Sequence, residues 1–391
     1  MVGAGIGGLC TAIRLLKKGY KVTIYEKENT IGGKVNIKYG NGAHFDLTAS
    51  ILMTPKIYTE IFESVGRDYK DYIDLVKLDP IYSVNYYDGT SYEFYSDLRK
   101  MIDVLENIEK GLSVEYLISK ENFLNKPMEN IYEVMNFNNL NKLLHISPIV
   151  NTNKYISSKI SNQKLKEYLI FQSMYIGSNP FTTSNLYTLI PAISHIYGLW
   201  HIKGGFYKYI LALEKLIYEL GGKIETGKEV TKIIVEDKKV KGIVIDNKAY
   251  SCSVFIIYLG LNKRYDNLNV VVRVPNLLYK DIQWNEENTV KFRDTIINQI
   301  KKIKGLEDIE ESIKYEDYLT PIDLRDKFNS YNGTAFGLSH KLSQTTCFRP
   351  SIKSKSINGL YFIGSSTHPG NGVSVIIDGS KLVENEIEND F

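Results

Sequence analysis

Cysteine and an excess of charge of either sign are both scarce in this sequence of 391 residues. The three cysteines, Cys10, Cys252 and Cys347, are odd in number and far apart, so they form neither a disulfide framework nor a metal-ligand pattern. Lys and Arg number 48 against 45 Asp and Glu, and no tract concentrates the basic residues. We therefore expect a reducing environment and no nucleic-acid partner.

Long apolar runs are also lacking. The longest, residues 254–261, is far shorter than the ~18 residues that a transmembrane helix needs. The N-terminus has no basic region followed by an apolar run and a cleavage site, so secretion is not indicated. We expect a cytoplasmic protein that is soluble or lies on the surface of a membrane.

Histidine pairs and hydrolytic groupings are missing as well. The six histidines are scattered, with no pair at i, i+4 and no third ligand at a useful spacing, so no metal site is predicted. His368 differs from the others because it lies beside a glycine-rich turn near the end of the chain; a structural or solvent-facing role is the alternative. No catalytic residue is assigned.

What the sequence does contain is a glycine-rich loop at its start. Gly3, Gly5 and Gly8 form a G-x-G-x-x-G pattern, and apolar residues at helical spacing follow it as far as Gly19. In such a loop the first glycine permits a tight turn, the second lets the backbone approach a pyrophosphate, and the third lets the helix pack close to a sheet. The helix N-terminus offers free N–H groups to the anion. The alternative is a chance glycine turn before a helix.

An acidic residue follows at the spacing of a dinucleotide site. Residues 21–26 are rich in β-branched and aromatic side chains, which predicts a strand ending at Glu26. A carboxylate at this point accepts hydrogen bonds from ribose hydroxyls and repels a 2′-phosphate. The sequence therefore predicts a βαβ unit that binds a dinucleotide.

A second glycine doublet distinguishes between possible dinucleotides. Gly32 and Gly33 are followed by Lys34. Dehydrogenases that use NAD do not usually need such a segment, whereas many flavoprotein oxidases carry an acid followed by Gly-Gly and a basic residue. The combination favours FAD over NAD, and a simple surface turn is the alternative.

The end of the chain has its own strand, turn and helix. Residues 361–364 predict a buried strand that ends in glycine, and a turn containing Gly370 and Gly372 leads into a helix near Val373. A helix N-terminus with permissive glycines can hold a flavin's ribityl chain, phosphate or ring edge. We expect the two ends of the chain to meet around one cofactor; an ordinary strand-turn-helix is the alternative.

The middle of the chain gives weaker signals. A mostly helical insertion is predicted over about residues 75–197, and three short strands are predicted between residues 223 and 246. Asp46 is expected to hydrogen-bond either the cofactor or the backbone. Arg349 is expected to be a structural ion-pair partner and not a catalytic group.

With these segments identified, the chain resembles the bacterial carotenoid desaturases, which include phytoene and dehydrosqualene desaturases within the flavin amine-oxidase-like group. The tail and the stretch TLIPAISHIYGLWHIKGG are the most specific parts of a resemblance that runs nearly end to end. The matching segments are residues 2–9, 25–34, 44–55, 179–222, 333–350 and 360–381.

This resemblance implies an α/β fold with a Rossmann-like FAD-binding domain assembled from discontinuous segments, residues 1–75, 200–260 and 342–391. An α+β substrate domain, residues 76–199 and 261–341, is inserted. The implied reaction introduces double bonds into a C30 or C40 isoprenoid in carotenoid biosynthesis at a membrane surface, with an apolar tunnel for the hydrocarbon. The alternatives are a flavin amine oxidase, a polyene isomerase or saturase, and a truncated inactive FAD-fold protein.

Pattern and resemblance together give the expected FAD-binding residues. They are Gly3, Gly5, Ile6, Gly7, Gly8, Glu26, Lys27, Gly33, Lys34, Val230, Gly364, Gly372 and Val373. By resemblance, Val230 touches adenine through its backbone, and Gly204 and Gly205 lie near the flavin ring.

Two segments are shorter than in the family that the chain resembles. Only Met1 and Val2 precede the glycine loop, where relatives have a full apolar strand. After the strand near residue 245, relatives have a further strand and a long segment, whereas residues 246–262 pass straight on. We expect strands to be missing at both places, which would expose sheet edges and remove part of the surface beneath the flavin.

Overall fold

A computed structural model describes most of the chain. The described residues are 1–40, 43–47, 51–111, 150–172, 175, 179–246, 248–251, 255–259, 274, 276–278, 282–303, 306–313, 316–328, 330–338, 344, 348 and 349–390. Part of the predicted helical insertion (residues 112–149) and much of the shortened region after residue 245 lie outside these residues.

The described helices, in chain order, are α1 (Ile6–Lys17), α2 (Pro55–Glu63), α3 (Leu98–Ile108), α4 (Thr152–Lys159), α5 (Gln163–Phe171), α6 (Leu189–Tyr197), α7 (Tyr207–Glu219), α8 (Glu286–Ile300), α9 (Ile309–Ser312), α10 (Pro321–Phe328) and α11 (Val373–Asp390). Short 3₁₀ turns span Tyr69–Asp71, Asn185–Thr188 and Tyr331–Gly333. The described strands are β1 (Thr23–Tyr25), β2 (Asn36–Gly40), β3 (Ala43–Leu47), β4 (Leu75–Lys77), β5 (Tyr82–Asn85), β6 (Ser91–Phe94), β7 (Trp200–Ile202), β8 (Lys223–Glu225), β9 (Val230–Glu236), β10 (Lys239–Ile245), β11 (Lys248–Ser251), β12 (Phe255–Leu259) and β13 (Leu360–Gly364).

Helix α1 lies at the centre of the main apolar core. It is buried from Ile6 to Leu15, since α7 and α11 both pack against it. The Arg14 Nε donates a hydrogen bond to the Ser380 hydroxyl at 2.8 Å, and both side chains are buried. The first and last helices of the chain are therefore in direct contact, although 366 residues separate these two side chains in sequence.

Parallel strand pairs lie beside α1. Strand β1 pairs with β8, and Val2 adds a single parallel bridge to Tyr25. Strand β12 pairs in parallel with β13 over its whole length. The all-apolar sequence of residues 255–259 is typical of a parallel strand covered on both faces. The expectation that the shortened region leaves no strand after residue 245 is therefore wrong.

The three strands predicted between residues 223 and 246 are confirmed as β8, β9 and β10. Only β8 joins β1, while β9, β10 and β11 form an antiparallel sheet of their own. A small core joins this sheet to the ends of β1 and β13.

A second core occupies the region between residues 76 and 199. The prediction of a mostly helical insertion is wrong for its first part, because β5 and β6 form an antiparallel hairpin. Asp88 and Gly89 make the turn, with Gly89 at a φ of 81°, and an Asp-Gly turn between alternating residues is a hairpin signal. Helices α3, α4, α5 and α6 follow among the described residues. The buried side chains of this second core are Ile81, Phe94, Met101, Leu105, Leu165, Tyr168 and Leu199.

Candidate cofactor site

The glycine loop has the geometry that its pattern predicts. Gly5 is the N-cap of α1 and has extended dihedral angles, and the first turn carries no acidic side chain. A Cβ atom on Gly8 would lie 2.3 Å from the carbonyl oxygen of Gly3, so only glycine lets the helix approach the turn this closely. The first N–H groups of α1 have no partner within the helix and are suited to an anion.

Glu26 lies directly beneath this loop. Its side chain is buried, and its two oxygens accept the backbone N–H groups of Ala4 at 2.7 Å and Glu28 at 3.0 Å. Each carboxylate oxygen has further lone pairs that remain suited to a ribose hydroxyl. The carboxylate therefore holds the glycine loop in place as well as lying where the ribose contact is predicted.

The glycine doublet is attached to the same loop and is not a simple surface turn. Gly32 donates its N–H to the carbonyl oxygen of Ala4 at 2.8 Å and is buried. A Cβ atom on Gly32 would lie 2.0 Å from the Val35 carbonyl oxygen. Gly33, which follows, also has a positive φ, of 57°.

Two lysines of the prediction lie near these turns. The Lys34 ammonium donates to the Ala335 carbonyl oxygen at 3.0 Å, and burial lowers the pKa of this amine. The Lys27 ammonium lies 3.4 Å from the Glu28 carboxylate near the surface.

Val230 is brought to the end of β1 by the turn before β9. The N–H of Lys228 donates to the Glu26 carbonyl oxygen at 2.7 Å, and the N–H of Gly227 donates to that of Glu28 at 3.0 Å. Val230 itself packs in the small core with Val2 and Tyr25. Its backbone is therefore adjacent to the strand that carries the acidic residue.

The end of the chain supplies a second helix N-terminus. Gly364 closes β13, and Gly372 accepts the N–H of Ile376 at 2.9 Å and so begins α11 at Val373. Arg349 fixes the intervening turn by donating to the Ser365 carbonyl oxygen at 2.8 Å. Arg349 is buried and also donates to the Leu338 carbonyl oxygen, which is a structural role, and its predicted ion pair stays a prediction.

Asp46 bonds the backbone, as one of its two predicted roles requires, and the predicted cofactor contact stays a prediction. Its carboxylate accepts the N–H of Phe206 and, at 2.6 Å, the N–H of Tyr207. It thus caps the N-terminus of α7 from a strand about 160 residues earlier. Gly204 and Gly205 form the turn between β7 and this capped helix.

Sequence reasoning missed Tyr58, which supports the second helix. Tyr58 is buried and hydrogen-bonds Ser374 in the first turn of α11, and burial raises the pKa of its phenol. Burial also raises the pKa of the nearby Cys10 thiol to about 12, which favours the neutral thiol. An aromatic residue in a helix gives no local signal of this contact, because the partner is more than 300 residues away.

The described part of the chain has neither a metal-ligand cluster nor a membrane-spanning helix. There, no three His, Cys, Asp or Glu side chains gather in a way that would hold a metal ion. Within the same residues, no helix is both long and apolar enough to cross a membrane. His368 precedes Pro369 in the turn before α11, and its N–H donates to the Pro350 carbonyl oxygen at 2.8 Å.

A comparison with protein families shows which family has this arrangement of a glycine loop, an acidic residue and a helix. The model of the flavin containing amine oxidoreductases matches residues 6–257, more than half of the chain. The chain belongs to that family. It is accordingly a flavin-dependent enzyme, and its cofactor is FAD.

Curated relatives of this enzyme cover the chain from end to end. A 4,4'-diapophytoene desaturase (4,4'-diaponeurosporene-forming) of Staphylococcus haemolyticus is 28% identical over all of this chain and 98% of its own length. The protein of the same name from Staphylococcus aureus (strain Newman) is 27% identical with the same coverage. The first alignment has 493 positions for 391 residues, so at least 102 of its positions have no residue in this chain.

Solved structures show the same fold. An oxidoreductase from Methanosarcina mazei has a TM-score of 0.58 at 15% identity, covering 98% of this chain and 99% of its own. A redesigned triple mutant of putrescine oxidase has a TM-score of 0.59 at 13% identity, covering 99% of this chain and 98% of its own. Both are consistent with an FAD-binding α/β fold.

The residues present fit FAD. Two helix N-termini, those of α1 and α11, belong to helices in direct contact, and each can face an anionic or polar part of the cofactor. Gly8 and Gly32 have no side chain at points where backbone segments lie very close together, so the backbone groups of the loop stay accessible to a dinucleotide. The buried Glu26 carboxylate lies beside the same loop.

Proposed function

We propose that this enzyme is an FAD-dependent desaturase that introduces double bonds into a C30 or C40 isoprenoid, phytoene or dehydrosqualene, in carotenoid biosynthesis. The observation that carries the proposal is the end-to-end similarity to proteins named as 4,4'-diapophytoene desaturases. The cofactor site described above agrees with it, since such a reaction needs a strong hydride acceptor and few polar protein groups.

When bound, FAD would supply the hydride acceptor: one carbon beside the conjugated system would give up a hydride and its neighbour a proton, and a double bond would form between them. The residues proposed to bind it follow from the loops and helix ends. The N–H groups of Ile6, Gly7 and Gly8 face the pyrophosphate, Glu26 binds a ribose hydroxyl, and the N-terminus of α11 at Gly372 and Val373 faces the flavin half. No proton acceptor is assigned.

We propose two structural units for this reaction. Residues 1–75, 200–260 and 342–391 bind FAD, and residues 76–199 and 261–341 bind the hydrocarbon. The composition of the cores supports this division. The main core draws its residues from the first set, and the second core is built mainly from residues 81–199. A peripheral position on the cytoplasmic face of a membrane would give such a unit access to its substrate.

The decisive experiment combines cofactor content with product formation. The full chain is purified, its flavin absorption spectrum and FAD content are measured, and it is mixed with liposomes that carry phytoene or dehydrosqualene. We expect a yellow protein and the appearance of polyene bands at longer wavelength. The Glu26→Gln variant, prepared in parallel, is expected to lose FAD and product together.

Other outcomes would contradict the proposal in different ways. Release of hydrogen peroxide with amines and no change in the hydrocarbons would indicate an amine oxidase. A colourless protein that cannot be reconstituted with FAD would indicate a truncated, inactive member of the fold. This outcome is included because at least 102 positions of the alignment with the first relative have no residue in this chain.

A further inference from the structure

We propose that residues 333–338, here called the strap, lie across the flavin side of the cofactor site, and that Phe336 within the strap contacts the hydrocarbon substrate. This inference rests on the proposed desaturase function. It assigns a substrate-contacting residue in a segment that is otherwise known only by its resemblance to the family.

The strap is attached to the predicted cofactor site at three points. The Lys34 ammonium donates to the Ala335 carbonyl oxygen at 3.0 Å. Gly337 lies so close to the turn after β13 that a Cβ atom there would be 2.6 Å from the Ser366 hydroxyl. The Arg349 guanidinium donates to the Leu338 carbonyl oxygen at 3.2 Å. These contacts come from three separate parts of the chain.

The attachment points themselves belong to the cofactor site. Lys34 follows the glycine doublet that is hydrogen-bonded to the N-terminal loop. Ser366 lies two residues after Gly364, and Arg349 also holds the carbonyl group of Ser365. The strap therefore joins the segment after β1, which carries the predicted FAD-binding residues Gly33 and Lys34, to the turn before α11, where the flavin half is predicted.

The other end of the strap is fixed to the proposed substrate unit. A Cβ atom on Gly333 would lie 2.1 Å from the carbonyl oxygen of Pro321, the first residue of α10. The Ser330 hydroxyl donates to the Thr334 carbonyl oxygen. Held at both ends, the strap has little freedom to move away from the site.

Phe336 is exposed despite this close attachment. Its two neighbours in sequence make the contacts with Lys34 and Ser366, yet the Phe336 residue is 37% exposed. Phe348, which precedes Arg349, is 62% exposed. Covering an exposed aromatic ring with an apolar ligand is favourable, because it removes apolar surface from water. A hydrocarbon has no hydrogen-bonding group, so it is recognised by such surfaces alone.

The test compares Phe336→Ala and Phe336→Leu with Tyr218→Ala, a control at a 51% exposed aromatic residue of α7, outside the proposed hydrocarbon-binding unit. FAD content is measured first, and hydrocarbon binding to the oxidised holoenzyme is then followed by the change in flavin fluorescence with phytoene or dehydrosqualene. Phe336→Ala is expected to weaken hydrocarbon binding about tenfold or more, with FAD content unchanged. Phe336→Leu is expected to weaken it less, and the control not at all.

Two results overturn the inference, and they differ from failure of the proposed function. If the wild-type enzyme desaturates the hydrocarbon and Phe336→Ala binds it as well as the wild type, the substrate contact is wrong. If Phe336→Ala loses FAD in proportion to hydrocarbon binding, Phe336 only maintains the cofactor site. If the wild-type enzyme neither binds nor desaturates either hydrocarbon, the proposed function fails and this inference fails with it.

Discussion

At the scale of single residues, the cofactor loop depends on contacts too close for any side chain. The distance of 2.3 Å from a Cβ atom on Gly8 to the Gly3 oxygen involves backbone on both sides, so no rotamer change relieves it. The same pattern was recognisable in the sequence because this chemistry permits so few residue types. The geometry of the loop was predictable because a side chain at Gly8 would collide with backbone, and not because glycine is common in loops.

Gly8→Ala is therefore expected to displace the N-terminus of α1 from the turn and to destabilise the fold by about 1–3 kcal/mol. FAD content after purification should fall sharply, since the backbone N–H groups move with the helix. The control is Gly66→Ala, where φ is 73° but a Cβ atom meets nothing within 4 Å. That variant should lose some thermal stability and keep its FAD. Equal FAD content in the two variants would contradict this account.

Glu26→Gln tests the acid separately from the loop. The amide keeps one acceptor oxygen for the two N–H groups of Ala4 and Glu28 and loses the charge. Because hydrogen bonds to a charged group contribute about 1.5–3 kcal/mol, FAD should bind roughly tenfold to a hundredfold more weakly. Equilibrium dialysis of the apoprotein with FAD measures this. Glu28→Gln, at an exposed side chain, should bind FAD like the wild type.

At the scale of elements, the contacts that were not predicted are those between distant segments. Helix α1 and strand β13 followed from local periodicity, and their observed bounds lie close to the predicted ones. The capping of α7 by Asp46 did not, because nothing near residue 46 indicates a helix that begins at residue 207. The β5–β6 hairpin is a different case, since the Asp88-Gly89 turn is a local hairpin signal in the sequence. The tyrosines and helical patterns of the surrounding segment pointed instead to a mostly helical region.

Asp46→Ala is expected to destabilise the protein far more than an ordinary capping change. Two backbone N–H groups, of Phe206 and Tyr207, would lose their acceptor in a buried place, and each unsatisfied group costs about 1–3 kcal/mol. Chemical denaturation of the holoenzyme measures the loss. Asp97→Ala provides the matched control, because Asp97 accepts two N–H groups at the start of α3 at the surface. A loss no larger than that of the control would show that water replaces the Asp46 carboxylate.

At the scale of the whole molecule, the two chain ends form one core, and the cofactor is expected to contact both. Arg14 and Ser380 join α1 to α11, and Lys18 forms a salt bridge with Glu388 at 2.6 Å on the same side. Strand β12 shows the limit of reasoning by comparison. The comparison with the family's segments predicts a missing strand after residue 245, yet residues 255–259 form a strand beside β13. A shortened segment does not reveal which apolar residues occupy a place in a sheet.

The contribution of both ends is testable by hydrogen exchange with two ligands. ADP can occupy only the adenosine side, near Glu26 and the N-terminus of α1, whereas FAD also reaches the first turn of α11. At concentrations that saturate the apoprotein, ADP should slow exchange of the N–H groups of residues 5–9 and leave those of residues 373–375 unchanged. FAD should slow exchange in both sets of residues. Either ligand should raise the free energy of unfolding, by about 2.7 kcal/mol at one hundred times its Kd. If ADP protected residues 373–375 as strongly as FAD does, the protection there would come from tighter packing of α1 on α11, and the assignment of the flavin half to Gly372 and Val373 would be wrong.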